Sequence, residues 1–124
     1  KKTADALLKK QRKDGSLPGS FGRNWSSSVS WSCLTGNSQT AIIWLRLYAL
    51  TKKKEYLIAA KKSNYYVKST QDTHSRNGGI RGAIKGAYPV YGWYAPFCYP
   101  NWAAKFFIDA LMLEDDLSMA DKLG

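Results

Sequence analysis

Apolar residues recur every three or four positions in four segments of the chain, and this spacing predicts helices. Residues 3–10 have the pattern of the end of a helix. Residues 38–50 are apolar around most of the helix circumference, which is typical of a helix in a protein interior. Residues 55–70 carry their apolar positions on one face, and a last helix begins at Pro100 or Asn101. The face of the third helix that is predicted to point inwards comprises Tyr56, Ala59, Ala60, Ser63, Tyr66 and Val67.

Short and long connections alternate between these helices. The polar turn at residues 51–54 is short, so the second and third helices are predicted to form an antiparallel hairpin. Residues 11–36 and 71–100 are long connections rich in glycine, serine and aromatic residues, and neither has the pattern of a core strand. We expect both to lie at the same end of the hairpins. Residues 114–123 either continue the last helix or begin a partner for it. The residues expected to cap the second helix are Thr35, Asn37 or Ser38.

The two long connections share an order of residues. Gln11 is followed by Asp14-Gly15-Ser16-Leu17, and Gln71 is followed by Asn77-Gly78-Gly79-Ile80. The matched positions lie about 60 residues apart, which is the spacing of a tandem repeat of one helical unit. Beyond the glycines each connection runs through an aromatic segment to a cysteine and then an asparagine: Cys33 and Asn37 in the first, Cys98 and Asn101 in the second.

The length and charge of the chain limit the classes of protein to which it could belong. Its 124 residues suffice for one small domain, residues 1–124, with a first repeat at about 1–70 and a second at about 71–124. A hydrophobic content of 44% with 23% charged residues is that of a globular protein. The formal net charge of +10 favours polyanionic partners such as nucleic acid, acidic glycans or anionic lipid. The alternative is an ordinary solvated surface, because most of the charge is lysine at predicted helix ends.

The turns at Gln11 and Gln71 and the paired helices between them resemble the glutamine-and-glycine repeats of α/α-toroid proteins. That superfamily includes terpenoid cyclases and protein prenyltransferases, and similar barrels occur in six-hairpin glycosidases, N-acylglucosamine epimerases and several polysaccharide lyases. Residues 77–113 are most similar to a group of such proteins associated with bacterial surface-polysaccharide biosynthesis. The resemblance implies an all-α fold of tandem αα-hairpins, in which inner helices surround a cavity and long loops form the rim where substrate enters.

A complete toroid has more helices than the four or five predicted for this chain. We therefore expect a partial α/α toroid, either a fragment of a longer protein or a half-barrel that self-associates, because an apolar helix such as residues 38–50 would otherwise expose a large patch. The resemblance implies carbohydrate as the partner, and an acidic polysaccharide as the substrate class. An enzyme of the glycoside hydrolase, lyase or sugar epimerase type, a non-catalytic glycan-binding or assembly module, a terpenoid cyclase-like protein and a nucleic-acid-binding protein all remain open.

The second long connection concentrates aromatic residues. Sugars stack their C–H faces on such rings while Asn, Asp and Arg side chains bond the hydroxyl groups, so this segment predicts a saccharide site. The alternative is that the rings pack on one another and hold the loop together. Trp93, which lies between Gly92 and Tyr94, is expected to be exposed. The residues predicted to bind substrate are Trp93, Tyr91, Tyr94, Trp25, Arg76 and Asn77.

His74, Arg81 and Asp14 are the candidate catalytic residues. In a polysaccharide lyase a cation or amide neutralises the uronate carboxylate while His or Tyr removes the proton at C5, and the segment around His74 and Arg81 contains such groups. A hydrolase instead needs two carboxylates, for which Asp14 and Asp72 are the candidates. The alternatives are that His74 is an ordinary exposed loop residue and that Asp14 forms the turn before Gly15.

Other signatures are missing. Gly78-Gly79-x-x-Gly82 lacks the Lys-Ser/Thr of a phosphate loop, and one His with two distant Cys does not make a zinc site, so neither a cofactor nor a metal is expected. Glu114-Asp115-Asp116 is the one acidic cluster that terpene cyclisation could use, and a helix-capping role is the alternative. No recognised nucleic-acid-binding motif is present. Without a signal peptide or an apolar run of membrane-spanning length, we expect a cytoplasmic protein with buried free thiols at Cys33 and Cys98.

Overall fold

The computed structural model describes all of residues 1–124. The chain is predominantly helical, in agreement with the predicted all-α class, and one turn of 3-10 helix lies at Arg23–Trp25. In chain order the helices are α1 (Lys2–Leu8), α2 (Leu34–Thr51), α3 (Lys54–Ser69) and α4 (Asn101–Leu123), and the strands are β1 (Ser32–Cys33) and β2 (Ala87–Tyr88). We call residues 9–33, between α1 and α2, the first loop, and residues 70–100, between α3 and α4, the second loop.

The start of α2 differs from the prediction. The helix begins at Leu34 instead of residue 38, because Cys33 caps it through a hydrogen bond from the amide of Gly36 to the thiol at 3.3 Å. Sulfur is a weak hydrogen-bond acceptor. A prediction from sequence therefore favours capping residues whose side chains accept through oxygen, such as Ser, Thr and Asn, over cysteine. The residues that were expected to cap the helix lie inside its first turns and are buried: Thr35, Asn37 and Ser38.

The other helices agree closely with the pattern. α3 spans Lys54–Ser69, and all the positions of its predicted inner face are buried. It follows α2 after a turn at Lys52, whose φ of 57° is left-handed, so the two helices form the predicted hairpin. α4 is continuous from Asn101 to Leu123, which shows that residues 114–123 continue the last helix instead of beginning a partner.

α2 is the central helix and packs against α1, α3 and α4. Trp44 is fully buried, and its indole Nε1 donates to the carbonyl of Ala4 at 3.1 Å, which fixes α1 on α2. Truncation of a buried Trp to Ala generally costs about 3 to 5 kcal/mol, so this contact is a major part of the core. At the end of α2 nearest the loops a second cluster contains Leu34, Tyr66, Val67, Ile84, Ala103 and Phe107.

One face of α2 is open to solvent, although its pattern predicted an interior helix. Ile43 is 48% exposed and Leu50 is 82% exposed, because the neighbouring helices cover only part of the circumference of α2. A groove of about 490 Å³ runs between this face and α4. Its lining combines apolar side chains with charged ones, including Ile43, Met112, Arg46, Lys105 and Asp109.

The two long loops meet at the same end of the molecule, as expected. β1 of the first loop pairs antiparallel with β2 of the second, with Ser32 opposite Tyr88 and Cys33 opposite Ala87. The amide of Leu34 extends the pairing to the carbonyl of Gly86 at 3.1 Å. Strands of this length are too short to produce an alternating pattern in the sequence, which explains why they were not predicted. None of the helices has both the length and the apolar character that crossing a bilayer requires.

Candidate functional site

Near the start of each loop a glutamine side chain closes a turn. Gln11 Nε2 donates to the carbonyl of Gly15 at 3.1 Å and to the carbonyl of Ala59 in α3 at 2.8 Å. Gln71 Nε2 donates to the carbonyl of Gly82 at 2.6 Å. Both glycines have positive φ, +92° at Gly15 and +75° at Gly82, a conformation that glycine adopts without steric penalty. The two loops therefore start with the same hydrogen-bonded turn.

This turn corrects the predicted alignment of the loops. The sequence match placed Gly78 opposite Gly15, but the glycine bonded to the glutamine of the second loop is Gly82. Gly78 is exposed, and a Cβ added there would meet no atom within 4 Å. The residues two positions beyond the bonded glycines, Leu17 and Ile84, are both in the core. The second loop therefore carries a longer insertion between its glutamine and its turn glycine than the alignment assumed.

The insertion lies within residues 72–82, a closed segment that we call the basic segment. The amide of Gly82 donates to the carbonyl of Asp72 at 2.8 Å and closes it. Inside it, the side chain of Asn77 accepts a hydrogen bond from the amide of Gly79 at 2.9 Å. The segment brings together, on one exposed loop, four of the predicted site residues: His74, Arg76, Asn77 and Arg81.

The three candidate catalytic residues lie in two different loops, Asp14 in the first loop and His74 and Arg81 in the second. Asp14 lies in the first loop, where its Oδ1 accepts hydrogen bonds from the amide of Ser16 at 2.9 Å and from its hydroxyl at 2.7 Å. In this arrangement Asp14 forms a turn. His74 Nδ1 lies 3.3 Å from the hydroxyl of Thr73, and both residues are exposed. No hydrogen bond or ion pair joins Asp14, His74 and Arg81.

Residues 86–98 form a second closed segment, which we call the aromatic hairpin. The amide of Gly86 donates to the carbonyl of Cys98 at 2.9 Å, and the amide of Phe97 donates to the carbonyl of Val90 at 2.7 Å. β2 attaches the start of the hairpin to the first loop. The rings that project into solvent are Tyr91, 66% exposed, Trp93, 86% exposed, and Phe97, 72% exposed. The predicted exposure of Trp93 is thus confirmed.

Tyr94 has a different position from the other hairpin rings. It is half-buried, and its hydroxyl accepts a hydrogen bond from Trp102 Nε1 at 3.0 Å. Trp102 belongs to the first turn of α4 and is itself 49% exposed. The bond holds the hairpin against the helix, so Tyr94 positions the exposed rings, and Trp102 extends their surface onto α4.

Two glycines allow the aromatic hairpin and the first loop to pack on Trp31. A Cβ added at Gly92 would lie 2.9 Å from the Cβ of Trp31 and 2.7 Å from the Cβ of Ala87. A Cβ added at Gly19 would lie 2.0 Å from an atom of the Trp31 ring. Only glycine permits such an approach, so Trp31 is a structural contact between the loops.

Backbone strain marks the tips of both loops. In the first loop Asn24 and Trp25 have φ of 55° and 59°, and in the aromatic hairpin Ala95 and Phe97 have φ of 48° and 57°. Each non-glycine residue in this region costs about 1 to 3 kcal/mol, and such strain is concentrated at functional sites. Trp25 is half-buried against the ring of Phe21 at 5.7 Å and borders α1, so it does not join the rings of the hairpin.

Tyr66 of α3 connects the two loops at their base. It is 8% exposed, and its ring packs edge-on against Tyr88 of the second loop at a centroid distance of 6.4 Å. Burial raises the pKa of the Tyr66 phenol, and the carboxylate of Asp14 raises it further, while the hydroxyl of Ser32 and the guanidinium of Arg12 lower it. The phenol is therefore neutral at physiological pH. Sequence reasoning assigned Tyr66 only to the core face of its helix.

Arg12 is another residue that sequence reasoning did not single out. Its guanidinium donates to the carbonyl of Val29 at 2.6 Å and to the carbonyl of Ser30 at 3.0 Å. These bonds hold the far part of the first loop close to its start. No local signal could have identified this role, because the partners lie far along the chain and are backbone groups.

The two cysteines have different environments. Cys33 is half-buried, and burial raises the pKa of its thiol. Cys98 is exposed, so the expectation of a buried thiol is wrong there. Cys33 caps a helix in the middle of the fold, whereas Cys98 lies at the open base of the aromatic hairpin and contributes its carbonyl to the closing bond.

The acidic cluster on α4 does not cap a helix, contrary to expectation. Residues 114–116 lie within the continuous α4, and Glu114 accepts a hydrogen bond from the side-chain amide of Asn64 at 2.7 Å. Glu114 therefore joins α4 to α3. No group of three or more His, Cys, Asp or Glu side chains is arranged to hold a metal ion.

Comparison with known proteins gives no match for this chain among protein-family models, curated proteins or solved structures.

Proposed function

We propose that the protein binds carbohydrate through the aromatic hairpin. The observation that supports this proposal is the exposure of Tyr91, Trp93 and Phe97 on a backbone that hydrogen bonds hold closed. Large apolar rings that project into solvent from one segment indicate an interaction surface. Pyranose rings present C–H faces that stack on aromatic side chains, and a prearranged platform binds them with little loss of conformational entropy.

An acidic polysaccharide is the ligand class that we propose. The basic segment belongs to the same loop as the aromatic hairpin, and its Arg76 and Arg81 are exposed and form no ion pair. A guanidinium binds a carboxylate through two parallel hydrogen bonds, while His74 and Asn77 can bond hydroxyl groups. The net charge of +10 favours the approach of a polyanion.

Binding, rather than turnover, is the role that these contacts favour. General acid and base catalysis needs the participating groups within hydrogen-bond reach of the same reacting atoms. Asp14 is occupied by its own turn, and nothing joins it to His74 or Arg81. A glycan-binding or assembly module therefore accounts for the site without a reaction.

We also propose that the fold is part of an α/α toroid. Two features support this: the same glutamine-to-glycine turn begins both loops, and α2 and α4 both start at the end where the loops meet and pack against each other. In such an arrangement α2 and α4 are inner helices and α3 is an outer one. The open apolar faces of α2 and α4 would then be covered by a second copy or by further helices.

The carbohydrate proposal is tested by calorimetric titration with acidic and neutral oligosaccharides. Trp93→Ala should lower the affinity for both about tenfold, which is the contribution of one stacking ring. Arg81→Gln should lower the affinity for the acidic oligosaccharide only. The matched control is Tyr65→Ala, because Tyr65 is an aromatic residue with 73% exposure on α3, and it should bind like the unaltered protein.

Three results would count against this proposal. No binding of any acidic or neutral oligosaccharide by the unaltered protein removes carbohydrate as the ligand. Equal losses of affinity in Trp93→Ala and Tyr65→Ala would show that the aromatic hairpin contributes no more to binding than any other exposed ring. Release of an unsaturated uronic product, abolished by His74→Ala, would replace the binding role with lyase chemistry.

A further inference from the structure

The solvent face of α3 carries a regular arrangement of lysines and apolar side chains. Because an α-helix turns about 100° per residue, Lys54, Ile58, Lys61, Lys62, Tyr65 and Lys68 fall within an arc of roughly 120°. All of these residues are exposed. Ile58 is 53% exposed and Tyr65 is 73% exposed, so both apolar side chains project from among the lysines. The opposite face of the helix is buried in the core.

α1 lies beside α3 and enlarges this surface. The hydroxyl of Tyr56 donates to the carboxylate of Asp5. Gln11, in the first loop just beyond α1, donates to the carbonyl of Ala59, so these two contacts hold α1 and the start of the first loop against α3. A cleft of about 520 Å³ between them is lined by lysines from both sides. We define the basic face as these exposed residues: Lys9, Lys53, Lys54, Ile58, Lys61, Lys62, Tyr65 and Lys68.

Only one lysine of the basic face forms an ion pair, Lys53, which lies 3.9 Å from Glu55. The other acidic residue that lines the cleft is Asp5, which accepts a hydrogen bond from Tyr56. Most of the other acidic residues lie on α4, at Asp109, Glu114, Asp115, Asp116 and Asp121. The net charge of +10 is therefore unevenly distributed, and the surface of α1 and α3 carries a large share of it.

We propose that the basic face docks on an anionic lipid bilayer. Lysines that approach a membrane of negative surface potential are attracted to it, and their contributions add. Apolar side chains that project among them enter the boundary between headgroups and acyl chains, as in helices that lie in the plane of a membrane surface. Ile58 and Tyr65 occupy that position on α3, and the phenol of Tyr65 suits the interface because it is apolar with a polar tip.

The composition of the basic face favours lipid over other polyanions. Every cation of the face is a lysine, a compact point charge that is attracted to a negatively charged surface as a whole, whereas recognition of individual phosphate or carboxylate groups favours the paired donors of arginine. Single-stranded nucleic acid stacks its bases on several aromatic rings, and this face has one, Tyr65. An exposed Ile58 contributes nothing to either polymer, but it contributes to insertion into a bilayer.

The test is cosedimentation of the full chain with vesicles of phosphatidylcholine, with or without phosphatidylglycerol. We expect binding only to the anionic vesicles and release by salt. Each lysine near the surface contributes about fivefold to the partition coefficient, so Lys54→Gln/Lys61→Gln/Lys68→Gln should lower it about a hundredfold. Ile58→Ser/Tyr65→Ser should lower it several-fold at unchanged charge. Circular dichroism of each variant reports whether the helices remain.

The matched control removes the same charge outside the basic face, as Arg23→Gln/Lys105→Gln/Lys122→Gln, and should retain most of the binding. A second control, Lys54→Arg/Lys61→Arg/Lys68→Arg, should bind like the unaltered protein and remains informative if the glutamine variant fails to fold. The proposal is overturned by absence of binding to anionic vesicles at low salt, or by equal losses in the two glutamine variants. Tighter binding to duplex DNA or heparin, unaffected by Ile58→Ser/Tyr65→Ser, would assign the face to another polyanion.

Discussion

The two long loops begin with the same turn but are held in different ways. The first loop is fixed to the helices by side chains: Asn37 of α2 accepts a bond from the amide of Leu17 at 3.0 Å and donates to the hydroxyl of Ser32 at 2.9 Å. The second loop is closed mainly by its own backbone, as the basic segment and the aromatic hairpin. Asn101, the predicted counterpart of Asn37, is exposed and makes no side-chain hydrogen bond.

This difference divides the roles of the loops. In the first loop several polar side chains form internal bonds that hold the loop in place, of which Asp14 to Ser16 is one example. In the second loop the backbone groups satisfy one another, and the rings and guanidinium groups stay free. A loop that closes through its peptide groups can present its side chains, whereas a loop anchored by side chains acts as a support.

The largest difference in stability is expected between variants of Asn37 and of Asn101, its predicted counterpart. Asn37→Ala removes two bonds from a site that is 1% exposed and leaves the amide of Leu17 without a partner. Such a change should lower the free energy of unfolding by about 3 kcal/mol. Asn101→Ala should change it by less than about 0.5 kcal/mol. Urea denaturation measures both, and similar losses would contradict the division of roles.

The glycines provide the next test. Gly19→Ala forces a methyl group into the ring of Trp31, where the added Cβ would lie at 2.0 Å, and should destabilise the protein by about 2 kcal/mol. Gly78→Ala enters open space and should be neutral or stabilise by up to about 0.5 kcal/mol. Thermal unfolding of the two variants distinguishes them. A large loss at Gly78 would restore it as the structural equivalent of Gly15.

The glutamines should show a smaller contrast. Gln11 bonds two carbonyls, one of them in α3, and Gln71 bonds one. We expect Gln11→Ala to cost about 2 kcal/mol and Gln71→Ala about 1 kcal/mol, at roughly 1 kcal/mol for each bond. Gln→Glu at either position should not restore stability, because the carboxylate lacks the donor that the carbonyls require. Rescue by glutamate would show that the amide donors are not what holds the turns.

The smallest effect on the free energy of unfolding is expected from a rise to alkaline pH. The hydroxyl of Tyr56 bonds Asp5 and fixes α1, where the first loop starts, and this bond is the main reason why the pKa of Tyr56 is raised to about 12. The unfolded chain has a tyrosine pKa of about 10. Since the folded pKa is the higher, the stabilisation is complete below about pH 10 and is lost as the pH rises towards about 12.

Denaturation at a series of pH values checks this last prediction. Tyr56→Phe should show a shallower loss of stability than the unaltered protein across that range. Tyr65→Phe, on the exposed side of the same helix, should keep the original slope. Hydrogen exchange should show that amides of the first loop lose protection at lower pH than those of the aromatic hairpin. The reverse order would contradict the difference between the two loops.

The helices could be predicted because their signal is local. The buried positions of α3 repeat at helical spacing within one segment, so Tyr56, Ser63 and Val67 could be placed without knowing their partners. The register of the second loop could not be obtained in this way. In the sequence Gly78 and Gly82 are equally suited to a turn, and the bonds that distinguish them in the fold, such as the one from Gln71 to Gly82, span the whole basic segment.

The part of the candidate site that could be predicted from the sequence is the exposure of its aromatic side chains. Glycine beside Trp93 indicated a projecting ring, and the ring projects. Arg12 and Tyr66 were missed because their roles depend on backbone carbonyls and rings that only folding brings near. Asp14 could be identified as a turn residue because its partner Ser16 lies only two positions further along the chain.

The pairing of Ser32 and Cys33 with Ala87 and Tyr88 has a consequence for how the protein could diversify. The ladder consists of peptide groups, which every amino acid except proline supplies, so it tolerates changes of side chain on the hairpin beyond it. A combinatorial library restricted to positions 91, 93 and 97 would therefore vary the exposed rings on a constant frame. Such a cassette would allow the proposed binding surface to change while the fold that carries it stays the same.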